Sequence, residues 1–124
     1  MILCDTNILI ELYKGNPSVV DALRVIGPSN LAISVVTMGE LYFGAKDKRE
    51  LRKIQSHLSM LQQVMLDADI STIFITLLGN YVLSHKLSVP DGLLAATALR
   101  YGIPLYTLNT KDFRFIPDLQ LHKP

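Results

Sequence analysis

The chain has 124 residues, 49% of them hydrophobic, which is ample for one compact core, and a single domain over residues 1–124 is expected. A net charge of +1 gives no global pull toward nucleic acid, although a local patch can suffice. The lone Cys4 excludes an internal disulfide and reads as a small buried hydrophobe in a reducing compartment. No stretch approaches the roughly eighteen apolar residues of a membrane span. The first residues also lack a basic region and a small-residue cleavage site, so the expected location is the cytoplasm.

In chain order, "MILCD" is a short apolar run suited to a buried strand, with Asp5 or Thr6 capping the next element. "NILIELYKG" predicts a short helix closed by Gly15, and Pro17 opens a second helix to about Ile26, ended by the turn "GPSN". "LAIS" is a second strand, and "VVTMGELYFGA" a helix with Ser34 or Thr37 as cap. Residues 46–63 predict an amphipathic helix, its stripe formed by Leu51, Ile54, Leu58 and Leu61. "VMLD" is a third strand, 70–86 a helix that tolerates Gly79, and Pro90 and Asp91 open a helix through Arg100 that stops at Gly102. "PLYTL" is the fourth strand and "LQLH" a fifth at an edge. Strands alternating with helices imply an α/β fold, a three-layer α/β/α sandwich with a mostly parallel central sheet.

Ligands of such a sheet bind outside the carboxyl ends of its strands. Asp5 falls at the carboxyl end of the first strand, where an unpaired buried charge is expensive. Glu40 lies in the helix after the second strand among Val36, Leu41 and Phe43, and is expected on its apolar side. Asp91 stands in the first turn of a helix whose continuation, "GLLAATAL", looks wholly buried, and Asp112 follows the fourth strand in "TLNTKDF". Each acid alone has a plainer reading. Asp5 and Asp91 suit helix starts, Glu40 a solvated face and Asp112 a turn, with Thr107 and Asn109 as polar strand ends. The case for a site rests on all four acids pointing to one sheet edge with no matching bases beside them.

"CDTNILIEL", "TMGELYFGA" and "PDGLLAATALRYGIPLYTLNTKDF", in that order and over essentially the whole chain, resemble the PIN-domain ribonucleases, and within them the VapC-type toxins of toxin–antitoxin pairs. The resemblance puts Asp5, Glu40, Asp91 and Asp112 on the family's acidic metal-binding positions. Thr6 and Asn7 complete the first motif, and Thr107 and Asn109 match polar residues that support the last carboxylate. It implies a Mg²⁺- or Mn²⁺-dependent endoribonuclease using one or two ions, an RNA substrate, a VapB-type antitoxin and a homodimer. One departure is visible: where many relatives carry a Gly-Arg pair before the third acid, this chain has "HKLSVPD".

Clustered carboxylates repel, raising one another's pKa until a cation arrives, and hard oxygen donors suit Mg²⁺ or Mn²⁺. A phosphoacceptor signalling domain would also want an acidic metal pocket, but with adjacent acids after the first strand and a lysine after a late one. Here only Asp5 is available, and Lys111 lies on the wrong side of Asn109. A non-catalytic binding module on the same fold is a third reading, disfavoured by the presence of all four acids. The basic run "KDKRELRK" reads first as a solvated helix face and second as a phosphate track. His57, His85 and His122 show no metal-ligand spacing, and Tyr13, Tyr42 and Phe43 read as core before they read as a stacking or partner surface. The apolar stripe of the second helix pair equally suits a dimer seam.

Overall fold

A computed structural model describes all 124 residues. Its elements are β1 (Ile2–Cys4), α1 (Thr6–Tyr13), α2 (Pro17–Ile26), β2 (Leu31–Ser34), α3 (Val35–Phe43), α4 (Lys48–Leu58), β3 (Gln62–Val64), α5 (Ala68–His85), α6 (Val89–Tyr101) and β4 (Leu105–Tyr106), with single 3-10 turns at Pro28–Asn30 and Thr110–Asp112. The four strands form one sheet in the order β3-β2-β1-β4, every pairing parallel. The expected sandwich is present, its sheet wholly rather than mostly parallel.

Alternation along the strands sends side chains to both faces, and helices cover both. Leu3, Ala32, Val64 and Leu105 join a core with residues of α5 and α6, closed by Phe113 and Ile116. Cys4, Leu31, Ile33 and Tyr106 face the other way into a second core filled from α1 to α4. Cys4 is fully buried, as its sequence context implies. No helix is long and apolar enough to cross a membrane.

Three expectations need correction. The helix foreseen over 46–63 begins later, because Asp47 accepts the Glu50 N–H at 2.8 Å and caps it. It stops at Leu58, and buried Leu61 belongs to the stripe's pattern but not to the helix. The third strand is Gln62–Val64 rather than "VMLD", since an edge strand can expose Gln62 while burying only Val64. The foreseen fifth strand is reduced to a single parallel bridge, Leu105 to Leu121.

β1 runs to β2 and β3 on one side, while β4 returns on its other side. The chain reverses its direction across the sheet at β1 and β4, and the crevice outside their carboxyl ends is where this architecture places ligands. Cys4 pairs with Tyr106, so Asp5 and Thr107 are the first residues beyond that pair.

Candidate active site

Asp5 is held from three directions. Its N–H donates to the Tyr106 carbonyl at 2.9 Å, which extends the ladder by one rung. As N-cap of α1 its Oδ1 accepts the Thr6 N–H at 2.7 Å. The Thr107 hydroxyl donates to Oδ2 at 2.8 Å, and the Asn7 amide lies 3.4 Å from the same oxygen. Asn7 also accepts the Leu108 N–H at 3.3 Å, tying the start of α1 to the segment after β4. Asn109 contributes its main chain: its N–H donates to Thr107 Oγ1 at 3.1 Å. Thr107 and Asn109 therefore orient the first carboxylate through one relay, whereas family likeness pointed to the last.

Glu40 is exposed, not set on the apolar side of α3. The Thr6 hydroxyl donates to its Oε1 at 2.8 Å, with Thr37 Oγ1 3.3 Å away. Ser34 caps α3 by accepting the Thr37 N–H at 3.1 Å, and its hydroxyl lies 3.4 Å from Thr37 Oγ1. Buried Ser34 and Thr37, legible beforehand only as helix caps, thus extend a hydroxyl chain to Glu40 through Thr6. Asp91 is half-buried in the first turn of α6, where its N–H donates to Ser88 Oγ at 3.2 Å. Asp112 ends the 3-10 turn after β4, also half-buried.

Burial pushes the Asp5 carboxyl up. The Thr107 and Thr6 hydrogen bonds pull it back, and the charges of Glu40 and Asp112 push it up again. Asp91 is raised from 3.8 to about 6, first by burial and then by the charge of Asp5, with smaller pushes from Asp112 and Glu40 against the pull of Ser88. The four acids thus share one electrostatic neighbourhood. None is in an ion pair: the cations that find carboxylate partners are Lys14, Arg24 and Arg100, all bound to other acids. Buried Cys4, directly before Asp5, has its thiol pushed up to about 12 by burial and by that aspartate, which leaves it inert.

No three His, Cys, Asp or Glu groups stand close enough to grip one ion between them. The donors are nevertheless all hard oxygens with no competing cation. That suits an ion such as Mg²⁺, which keeps its waters and takes one or two protein carboxylates. Asp5 fits such a role, because its hydrogen bonds fix both oxygens and leave lone pairs free.

The model of the PIN domain family matches residues 2–118. Ribonuclease VapC19 of Mycobacterium tuberculosis is 31% identical over 123 residues, covering 97% of this chain and 98% of that protein. Among solved structures, a toxin–antitoxin complex from Klebsiella pneumoniae superposes with a TM-score of 0.82 at 34% identity, over 96% of this chain and 95% of its own. VapBC2 from Rickettsia felis, bound to a DNA fragment from its promoter, gives 0.79 at 27% identity over 98% of both chains. On sequence and fold alike, the chain belongs to the PIN-domain family.

Proposed function

We propose that this protein is a divalent-metal-dependent endoribonuclease, the toxin of a toxin–antitoxin pair held in check by a VapB-type antitoxin in the cytoplasm. The observation that carries the reading is the edge formed by Asp5, Glu40, Asp91 and Asp112: none of the four is in an ion pair, and the charges of the others raise Asp5 and Asp91. The names of the relatives, a ribonuclease and toxin–antitoxin complexes, support the activity and the kind of partner. Asp5 and Asp91 are the leading metal ligands, with Glu40 and Asp112 completing the site directly or through water. When bound, one or two Mg²⁺ or Mn²⁺ ions supply Lewis acidity, neutralising charge on the phosphate and lowering the pKa of water.

The chain's own residues perform the positioning. Thr107, with Asn7 and the Asn109 main chain behind it, fixes the rotamer of Asp5, and Thr6 does so for Glu40. Hydrolysis joins a water oxygen to phosphorus and breaks the bond to the departing ester oxygen, which leaves with a proton. Exposed Ile75, Val82 and Leu83 on α5 support the homodimer.

The test is cleavage of unstructured RNA by purified protein. Cleavage with Mg²⁺ or Mn²⁺, its loss on chelation and its return on re-addition are expected. Undiminished cleavage in excess chelator would falsify the metal dependence. Expressed alone, the chain should arrest growth until its antitoxin is supplied, and harmless expression of an RNase-active chain would remove the toxin assignment alone.

A further inference from the structure

A cavity on the α1 side of the acidic edge shares only Glu40 with the acids. It is a groove of about 720 Å³ between α1, α3 and the start of α4, and Glu40 forms part of its wall. Ile10, Leu41 and Ile54 give it an apolar floor. Tyr13 stands in its lining, 44% exposed, with its hydroxyl fixed 2.7 Å from His57 Nδ1. Lys14, Lys46 and Lys53 line it against the carboxylates of Glu40 and Glu50. Lys14 is engaged by Glu11 at 3.5 Å, whereas Lys46 and Lys53 have no ion-pair partner.

These two lysines bound the basic run 46–53. That run holds Lys46, Lys48, Arg49, Arg52 and Lys53, five of the chain's twelve lysines and arginines, none of them in an ion pair. Asp47, the one aspartate among them, spends its carboxylate on capping α4. Five of the chain's nine lysines and arginines outside ion pairs thus stand in one run, and two of them line a groove whose wall includes Glu40. An acidic edge repels a polyanion, so a strand that reaches it needs cations to either side. An apolar floor, a fixed aromatic ring and paired free lysines match a chain that alternates flat bases with phosphates.

We propose that the groove is the path of single-stranded RNA leaving the carboxylates, with Lys46 and Lys53 holding backbone phosphates and Tyr13 offering its ring to a base. The proposal rests on the ribonuclease reading for its substrate and deepens it by naming where the strand runs. Lysines read phosphate charge and not base identity, so the groove supplies affinity for unpaired strand irrespective of sequence.

The test uses full-length protein, a short labelled unstructured RNA in chelator for binding, and the same RNA with Mn²⁺ for cleavage. Bis(p-nitrophenyl) phosphate, too short to enter the groove, reports on the acids alone. Lys46→Ala/Lys53→Ala should weaken RNA binding about tenfold and lower the slope of log affinity against log salt by about 1.4, two phosphate contacts at roughly 0.7 each on a single strand. KM for RNA should rise while hydrolysis of the small diester stays unchanged. Lys46→Arg/Lys53→Arg should restore binding, and Lys48→Ala/Arg52→Ala, equal in charge but outside the groove, should keep the wild-type slope. Wild-type affinity and slope in the groove variant would overturn the proposal, including the case in which that variant loses only its hold on a protein antitoxin. If wild type binds RNA through the groove but cleaves nothing, the ribonuclease reading fails and the groove stands. If wild type cleaves and the groove variant cleaves equally well, the reverse holds.

Discussion

Asp5 and Asp67 each come after a strand and cap the helix behind it, yet their surroundings diverge. Asp67 accepts the Ile70 N–H at 2.8 Å with one oxygen and meets Arg100 Nε at 3.1 Å with the other. Its neighbour Asp69 meets the same nitrogen at 3.3 Å, so that corner carries its own counter-charge. Asp5 caps α1 through the adjacent Thr6 N–H, but its second oxygen meets only the neutral donors Thr107 and Asn7; Glu40 and Asp112 press on it, and those two together with Asp5 press on Asp91. Both kinds of corner touch one helix, since Asp91 opens α6 and Arg100 lies in its last turn. At the Asp67 corner the acid is balanced by Arg100. At the Asp5 corner no cation of the chain pairs with the acids, which is what the proposed metal site requires.

The contrast is broken most directly by activity. Asp5→Asn or Asp91→Asn should lower kcat for RNA by about two to three orders of magnitude, the scale for losing one group that stabilises charge in the transition state. Asp67→Asn should leave kcat unchanged. Equal losses at both corners, measured on preparations of equal fold content, would erase the distinction.

Stability should reverse the ranking. Asp67→Ala removes a cap and an ion pair and should cost about 1–2 kcal/mol, a fall in Tm of roughly 3–8 °C. Asp91→Asn relieves repulsion, so the metal-free protein should melt at the same temperature or gain about 0.5–2 kcal/mol. That variant should also forfeit part of the rise in Tm that Mn²⁺ gives wild type. Thermal melts of the three proteins, with and without Mn²⁺, compare the corners on one scale.

The smallest effect is on pH dependence. Asp91 titrates near 6 in the folded chain against 3.8 as an ordinary aspartate, so between those values the folded state holds a proton that the unfolded state has released. Stability therefore falls as pH rises through this window, with the loss absent below it and complete above. Solvent screening of a half-exposed group leaves at most about 1 kcal/mol. Without divalent ions the wild-type Tm should drop by a few degrees between those pH values. Asp91→Asn should flatten the curve.

Much of this was legible in the sequence because it rests on local signals. Pro17 starts α2, Pro90 and Asp91 open α6, and Gly102 ends it in the left-handed conformation, φ 63, that glycine adopts without strain, while the caps Asn16 and Ser88 emerge only in the fold. Other features depend on contacts across the chain. Thr107 finds Asp5 across a sequence separation of 102, and Thr6 finds Glu40 across 34, which no periodicity encodes. Glu40 looked apolar-facing because of Leu41 and Phe43, but Phe43 is 94% exposed and only Leu41 reaches the core. Tyr13, exposed at the groove, is likewise not the core residue its setting implied. Gly92 lies in the first half of α6. In the fold a side chain there would strike Leu78 and come within 3.2 Å of Phe74, so its absence lets α6 lie against α5 and sets the depth of Asp91.

The strand order also governs when the site can exist. β1 is the first of the four strands to be made, but one of its neighbours is β4, the last of them. Thr107, the hydroxyl that fixes Asp5, and Asp112 are made later still. A ribosome adds roughly 5–20 residues per second and lets earlier segments fold as they emerge. The first two strands and the helices around them can assemble in that interval, while Asp5 still lacks its partners from the last fifth of the chain. A growing polypeptide therefore carries Asp5 and Glu40 without their later partners until the segment from Leu105 to Asp112 has been made.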